Sequence, residues 1–398
     1  MYELYPYFTN DGSVGLFSPE ADDIYHSTYG ALTEAYEKFI IPAEFEKFFQ
    51  KNNKIKILDI CFGIGYNTKS FINNFLEFIY NGTIDTYNIK CNSEIDTDNK
   101  KYSIYIHAID TDKILSGLSP FFATNKNNLK NDKIIFSQGK IKKMLSGKTK
   151  VFYKLKKETN IILLNLLKNS INTETEKILF SKKYSQFFDR SIIDLYTFYK
   201  SYDNNYTLVK RLSTFLHNIY YKYISSSYKN ALKAFKMADF NFDLEINDAR
   251  LAIFNDDKKY NYIFLDAFTP SKCPCLWTID FFKQLYHHLD DNGMILTYSN
   301  SAVVRNAFLN SGFHVGKIFS ESLNKFTGTV AAKNKSLIKN ELSEYDLGLM
   351  KTKAGIFYRD ENLNDLNEAI IERHQKEVEN SNLISSSKFI KEYKLSTK

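Results

Sequence analysis

The chain is poor in several features that would have fixed its class at once. It has four cysteines, Cys61, Cys91, Cys273 and Cys275. Cys273-Pro-Cys275 has no second pair and no histidine at ligand spacing, so it makes no zinc pattern. No metal is expected, and free thiols in a reducing cytoplasm are. No basic stretch followed by an apolar run lies behind Met1, so a secretory leader is not expected. The most apolar window, Ile161 to Leu167, is far too short to cross a bilayer, and no membrane partner is expected. There is no internal repeat. The Gly-x-Gly turn at Gly63 and Gly65 lacks the third glycine of a dinucleotide fingerprint, since Thr68 occupies that place, so pyrophosphate binding is less favoured.

What is present is a globular composition. Of 398 residues, 43% are hydrophobic and 16% aromatic, enough for a sizeable core in one large domain or two ordinary ones. The net charge of +7 is unevenly placed. Residues 121–240 carry 23 Lys and Arg against 8 Asp and Glu, a net of +15 that leaves the rest of the chain at −8. A basic segment on a mildly acidic body suits contact with a polyanion. A solvated insert decorated with lysine reads the same by charge alone.

Patterning divides the chain into five stretches. Residues 1–50 form a lead-in with helical spacing over 30–49, interrupted at Pro42. Residues 51–120 read as strand (56–60), glycine turn, helix (67–78) and strand (102–110), a βαβ unit. Residues 121–240 break this rhythm and read as a basic, mainly helical insertion, with helical periodicity near 160–169, 186–200 and 207–237. The α/β alternation resumes over 241–335: strands at 243–246, 262–265 and 294–298, helices at 278–289 and 302–310, and a closing hairpin of 315–319 with 327–332. Residues 336–398 form a tail with a polar helix to about 380. The fold class expected is α/β.

Acids stand at the ends of the strands, where open α/β sheets bind ligands. Asp59 precedes the turn Cys61-Phe62-Gly63-Ile64-Gly65, and Asn67 opens the next helix, whose free N–H groups face a ligand. Asp110 ends the second strand, where a ribose diol wants an acceptor. Asp248 follows the third, where an adenine amine does, and Asp266 ends the fourth. Asp110 and Asp248 are equally at home as helix or turn caps. The run from Tyr262 to Trp277 (YIFLDAFTPSKCPCLW) places an acid at a strand end, then a Phe, a Pro-bounded loop and a Trp, which suits a flat base bearing an amine.

That run resembles the signature of the bacterial tRNA 5-methylaminomethyl-2-thiouridine methyltransferases. The lead-in Leu16 to Ser27 and Gly30 to Ala35, the Phe62-Gly-Ile-Gly65 loop, Asp248-Ala, Thr297 to Ala302 and Val304 to Phe313 resemble the same family. Cys61 is a departure, because such loops often begin with glycine. The resemblance implies a class I, Rossmann-like methyltransferase. Its mostly parallel seven-stranded sheet would end in an antiparallel hairpin, with a largely helical insertion. It implies S-adenosylmethionine as cofactor and methyl transfer to the exocyclic amine of 5-aminomethyl-(2-thio)uridine, the wobble nucleoside at tRNA position 34. With only some 60 residues after the sheet, the family's flavin-dependent oxidase domain, and with it FAD, is not expected.

The implied cofactor contacts are Glu34, Asp59, Phe62, Gly63, Gly65, Asn67, Asp110 and Asp248. Asp266 would bind the amine, with an ordinary carboxylate pKa favouring orientation over proton abstraction. Phe268 or Trp277 would stack the base, each being nearly as suited to core packing, and Lys272 and Arg305 are candidate phosphate contacts, a lone basic residue being equally at home on solvated surface. The partner would be the anticodon stem-loop of tRNA, held by the basic insertion, with separate enzymes of the wobble-uridine pathway acting alongside in the cytoplasm. Alternatives are a small-molecule methyltransferase or aminopropyltransferase on the same fold, and a non-catalytic tRNA-binding protein.

Overall fold

The computed structural model describes residues 2–88, 102–124, 134–135, 141–142, 153–203 and 226–396. Among them the lead-in forms a three-stranded sheet of β1 (Tyr5–Phe8), β2 (Val14–Ser18) and β3 (Asp23–Ile24). A helical segment over 31–49 follows. It breaks at Glu44, which takes a left-handed φ of 51°, and not at Pro42. A π-helical turn at Tyr36–Ile40 precedes Pro42, which lies in the first turn of the next short helix, where its missing N–H costs nothing.

The central sheet has seven strands. They are β4 (Lys54–Ile60), β5 (Tyr102–Asp110), β6 (Ala238–Ile246), β7 (Tyr260–Leu265), β8 (Leu289–Thr297), β9 (His314–Ser320) and β10 (Lys325–Ala332). Their order is β9-β10-β8-β7-β4-β5-β6, with the first five in sequence parallel and β10 antiparallel to β8 and β9. This is the class I methyltransferase arrangement, with its antiparallel hairpin at one edge. Strand β6 begins at Ala238, five residues before the expected start. Its alternation of Phe240, Phe242 and Leu244 with Asp239, Asn241 and Asp243 is that of an edge strand.

Helices cover both faces. On one, α1 (Tyr66–Asn88) packs with the 31–49 segment and with α3 (Lys157–Leu167) against Ile55, Ile57, Ile104 and Ile106. A short α2 (Lys113–Leu118) follows β5, with α4 (Thr173–Leu179), α5 (Arg190–Asp203) and α6 (Ser226–Met237) beyond α3. On the other face, α7 (Ala249–Phe254), α8 (Ile279–His288) and α9 (Ala302–Asn310) bury Leu58, Ile60, Ile263 and Ile295. Phe282 of α8 and Phe308 of α9 stack at 3.9 Å. The tail adds α10 (Glu344–Met350), the expected polar helix as α11 (Asn367–Asn380), and a further helix α12 (Ser386–Ser396). Of the periodicity at 207–237, residues 207–225 lie outside the described residues; the remainder is α6. No helix among the described residues is long and apolar enough to cross a membrane.

Candidate active site

The loop after β4 needs unusual backbone. Cys61, Gly63 and Gly65 all take positive φ, at 64°, 54° and 74°. Glycine reaches this region freely and other residues do not, so a glycine-first loop is the relaxed form and Cys61 holds a strained one. The Cys61 N–H donates to Ile109 O at 2.9 Å, which ties the strained residue to β5. A Cβ on Gly65 would lie 2.6 Å from the Phe62 ring and 2.5 Å from Ser119 Oγ, so Phe62 closes the loop from behind. Asp59 is buried beneath it and accepts from Thr68 Oγ1 at 2.6 Å, stapling β4 to α1. Burial pushes this carboxyl up to about 8. Asp59 Oδ1 and Asn67 Oδ1 are buried acceptors with no partner.

A cavity of about 460 Å³ opens at the carboxyl ends of the parallel strands, within the size range of small-ligand sites. One wall is built from strand ends: Asp110, Asn247, Asp248, Asp266 and Phe268. The other comes from the lead-in: Asp23, Tyr25, His26 and Glu34. Two contacts join the walls. Thr269 Oγ1 donates to Asp23 Oδ2 at 3.1 Å, and Tyr25 meets Phe268 edge to face at 5.0 Å. The loop floor is held by Tyr298 OH donating to Ala267 O at 2.9 Å and Trp277 Nε1 donating to Phe268 O at 2.8 Å.

The acids differ in charge state. Asp266 accepts from Asn67 Nδ2 at 2.9 Å, but burial, with the Glu34 charge adding to it, pushes its carboxyl up to about 7. Burial likewise raises Asp110 to about 6, although the N–H groups of Asp112 and Gly63 donate to it at 2.8 and 2.7 Å. Glu34 is equally buried, yet Lys38 in direct contact outweighs burial and holds its carboxyl below the usual range. Burial lowers His26 to about 4, so its imidazole is neutral.

Glu34, Asp110, Asp248, Asp266 and Phe268 thus share one cavity, and Gly63 and Asn67 hydrogen-bond to two of its acids. Asp248 also caps α7 and binds Arg250 through both oxygens. Lys272 does not line the cavity; it is exposed on the adjoining loop, 3.4 Å from Asp22. Two expected substrate contacts need correction. Trp277 is fully buried, its ring edge to face with Phe282 and Tyr298, so it cannot stack a base and instead fixes the loop. Arg305 is 4% exposed and spent on Asp346 at 2.9 Å, Thr329 Oγ1 and Gly328 O, which leaves nothing for a phosphate. Sequence reasoning missed Tyr25, His26 and Tyr298 as cavity residues. Their signal was that both motifs containing them, Leu16 to Ser27 and Thr297 to Ala302, carried the family resemblance without an assigned role.

The lining fits an amphiphilic, cationic nucleoside. Ile24, Ile109 and Leu276 supply apolar surface for a base, and Asp110, Asp248 and Glu34 supply acceptors spaced around it. The orphaned Asn67 Oδ1 at the start of α1 leaves a further acceptor beside the glycine loop. Among the described residues, no group of three or more His, Cys, Asp or Glu is placed to hold a metal ion.

Residues 210–334 match a family model described as S-adenosyl-L-methionine-dependent methyltransferase. An uncharacterized protein of Methanocaldococcus jannaschii is 36% identical over 141 residues, 35% of this chain and 39% of that protein. The tRNA 5-methylaminomethyl-2-thiouridine biosynthesis bifunctional protein MnmC of Burkholderia multivorans is 42% identical over 55 residues, 14% of this chain and 8% of that protein. The chain therefore spans well under half the length of these curated relatives. The crystal structure of MNMC2 from Aquifex aeolicus shares the fold, with a TM-score of 0.54 at 19% identity over 95% of this chain and 86% of that one. The resemblance read from the motifs stands.

Proposed function

Starting from this relationship to the S-adenosylmethionine-dependent methyltransferases of the MnmC kind, we propose that the chain methylates the exocyclic amine of 5-aminomethyl-(2-thio)uridine at the tRNA wobble position, giving 5-methylaminomethyl-(2-thio)uridine. The observation that carries the reading is Asp266. It is a half-buried cavity residue at a strand end whose carboxyl is pushed up to about 7 by burial, oriented by Asn67 and sharing the cavity with Phe268.

Glu34, Asp110, Asp248 and the Gly63–Gly65 loop are the residues that would hold the cofactor. Bound S-adenosylmethionine supplies an electrophilic methyl group on a sulfonium centre. The chain's own contribution is to the amine, which must be held, turned toward that methyl and relieved of a proton as the N–C bond forms and the C–S bond breaks. An ordinary aspartate is a weak base at neutral pH, but burial brings Asp266 into the range where it can both orient the amine and take its proton. Glu34, held ionised by Lys38, adds negative charge beside it and favours the cationic reactants. Closing the cavity under the lead-in brings both reactants together out of water.

The test uses tRNA from cells lacking this methylation, methyl-labelled S-adenosylmethionine and purified protein, followed by nucleoside separation. Label in 5-methylaminomethyl-(2-thio)uridine, absent with Asp266→Ala, is the expected result. No label in any tRNA nucleoside despite cofactor binding would end the tRNA reading.

A further inference from the structure

Strands β9 and β10 run on past the rest of the sheet. Thr297, the last residue of β8, pairs with Thr329, and β10 begins four residues earlier at Lys325. A bulge absorbs one of these residues, since β9 runs only three residues past Lys317, the partner of Thr329. At about 3.3 Å per residue, the hairpin projects roughly 10 Å beyond the carboxyl edge on which the cavity opens. It is tied to the helical segment from which Glu34 enters the cavity. Ser320 Oγ and the Ser322 N–H both donate to Glu37, which shares a helical segment with Glu34 and Lys38.

The tip carries apolar side chains that the described residues leave partly exposed. Phe319 and Phe326 face each other across the strands, each 40% exposed, and Leu323 in the turn is 38% exposed. The two rings meet edge to face at 5.3 Å, and Lys317 Nζ lies 4.5 Å from the centre of Phe326. Lys317 is also paired with Asp346 at 3.0 Å, so ring and cation are held in place. Lys325 is exposed beside them, and Glu321 lies in the turn. Exposed rings held in place are what unpaired bases stack on, and Lys325, exposed beside them, is placed to meet the backbone, whereas Lys317 is held by Asp346 and only orders the Phe326 ring.

We infer that this hairpin tip is a stacking platform for unpaired bases neighbouring the one that enters the cavity. The inference rests on the tRNA reading above and extends it by naming a second contact surface. A base flipped into a cavity leaves its neighbours unstacked, and a surface that restacks them recovers part of that cost. The pinned rings lose little freedom in doing so.

The experiment is a kinetic comparison of wild type with the double variants F319L/F326L and F319A/F326A, using undermethylated tRNA. The KM for tRNA is expected to rise about tenfold in both, roughly the loss of one base stack, with the KM for S-adenosylmethionine held. A single Phe326→Trp change, which keeps an aromatic face, is expected to stay near wild type. The leucine pair keeps apolar bulk, so it separates stacking from packing even if the alanine pair unfolds. A leucine variant with the wild-type KM for tRNA would overturn the inference and turn attention to a protein partner for the patch. Failure of wild type itself to label tRNA would instead overturn the functional reading.

Discussion

The two walls of the cavity hold the same kind of group in opposite states. On the strand-end wall, Asp110 and Asp266 are buried with only neutral donors, and their carboxyls rise to about 6 and about 7. On the lead-in wall, Glu34 is just as buried, but Lys38 lies against it and its carboxyl stays below the usual range. Burial is common to both and Lys38 acts on Asp266 as well, so what sets Glu34 apart is its direct contact with Lys38, helped by the Ser27 N–H. A site that must attract a cationic cofactor and also accept a proton needs both states together.

The sharpest way to break the contrast is Asp266→Ala. Methyl transfer is expected to fall by about 100-fold to 10,000-fold, the range for a lost acid–base group, while calorimetry still detects S-adenosylmethionine binding. Next in size is the pH profile. Asp266 accepts a proton only when ionised, so the rate is expected to climb as pH rises through about 7. Asp266→Asn should leave a low rate without that inflection.

A third change converts one wall into the other. Lys38→Met removes the cation beside Glu34, whose carboxyl should then rise. S-adenosylmethionine affinity is expected to weaken by about tenfold at pH 6, on the scale of one charge-assisted hydrogen bond, and to recover toward pH 8. Affinity independent of both Lys38 and pH would remove Glu34 from the cofactor site.

The smallest effect concerns the mirror case, a buried cation with no anion. Lys69 is fully buried, its Nζ has no hydrogen bond, and burial brings it down to about 7. Since the folded pKa lies below the unfolded one, near 10.5, the unfolded chain takes up the proton first, and folding loses stability as pH falls from about 10.5 to about 7. Lys69→Met should raise the melting temperature by a few degrees, more at pH 6 than at pH 9.

Much of this was legible because strand periodicity is local. The runs ending at Ile60, Asp110 and Leu265 mark strands by composition alone, and the acids at or after their ends follow from that register. Gly63 and Gly65 announce a turn because few other residues tolerate it. Trp277 and Arg305 show the limit. Residue type suggested ligand contacts, but their partners, Tyr298, Phe282, Thr329 and Asp346, lie 21 to 41 residues away except for Phe282, and only tertiary packing reveals them. The raised carboxyl of Asp266 was likewise invisible, since its cause is burial under a lead-in some 240 residues earlier. Strand β6 extends further than its apolar run suggests because Asp and Asn dilute an edge strand that is apolar on one face only.

The buried indole that fixes the Phe268 loop has one more consequence. Trp277 is the only tryptophan of the chain. Its emission therefore reports a single location, at the back of the loop that lines the cavity. A blue-shifted spectrum in the native state, moving to red on unfolding, would follow the core through Phe282. A change on adding cofactor would follow the loop through the Phe268 carbonyl. The protein thus carries a native optical probe one hydrogen bond away from its candidate active site.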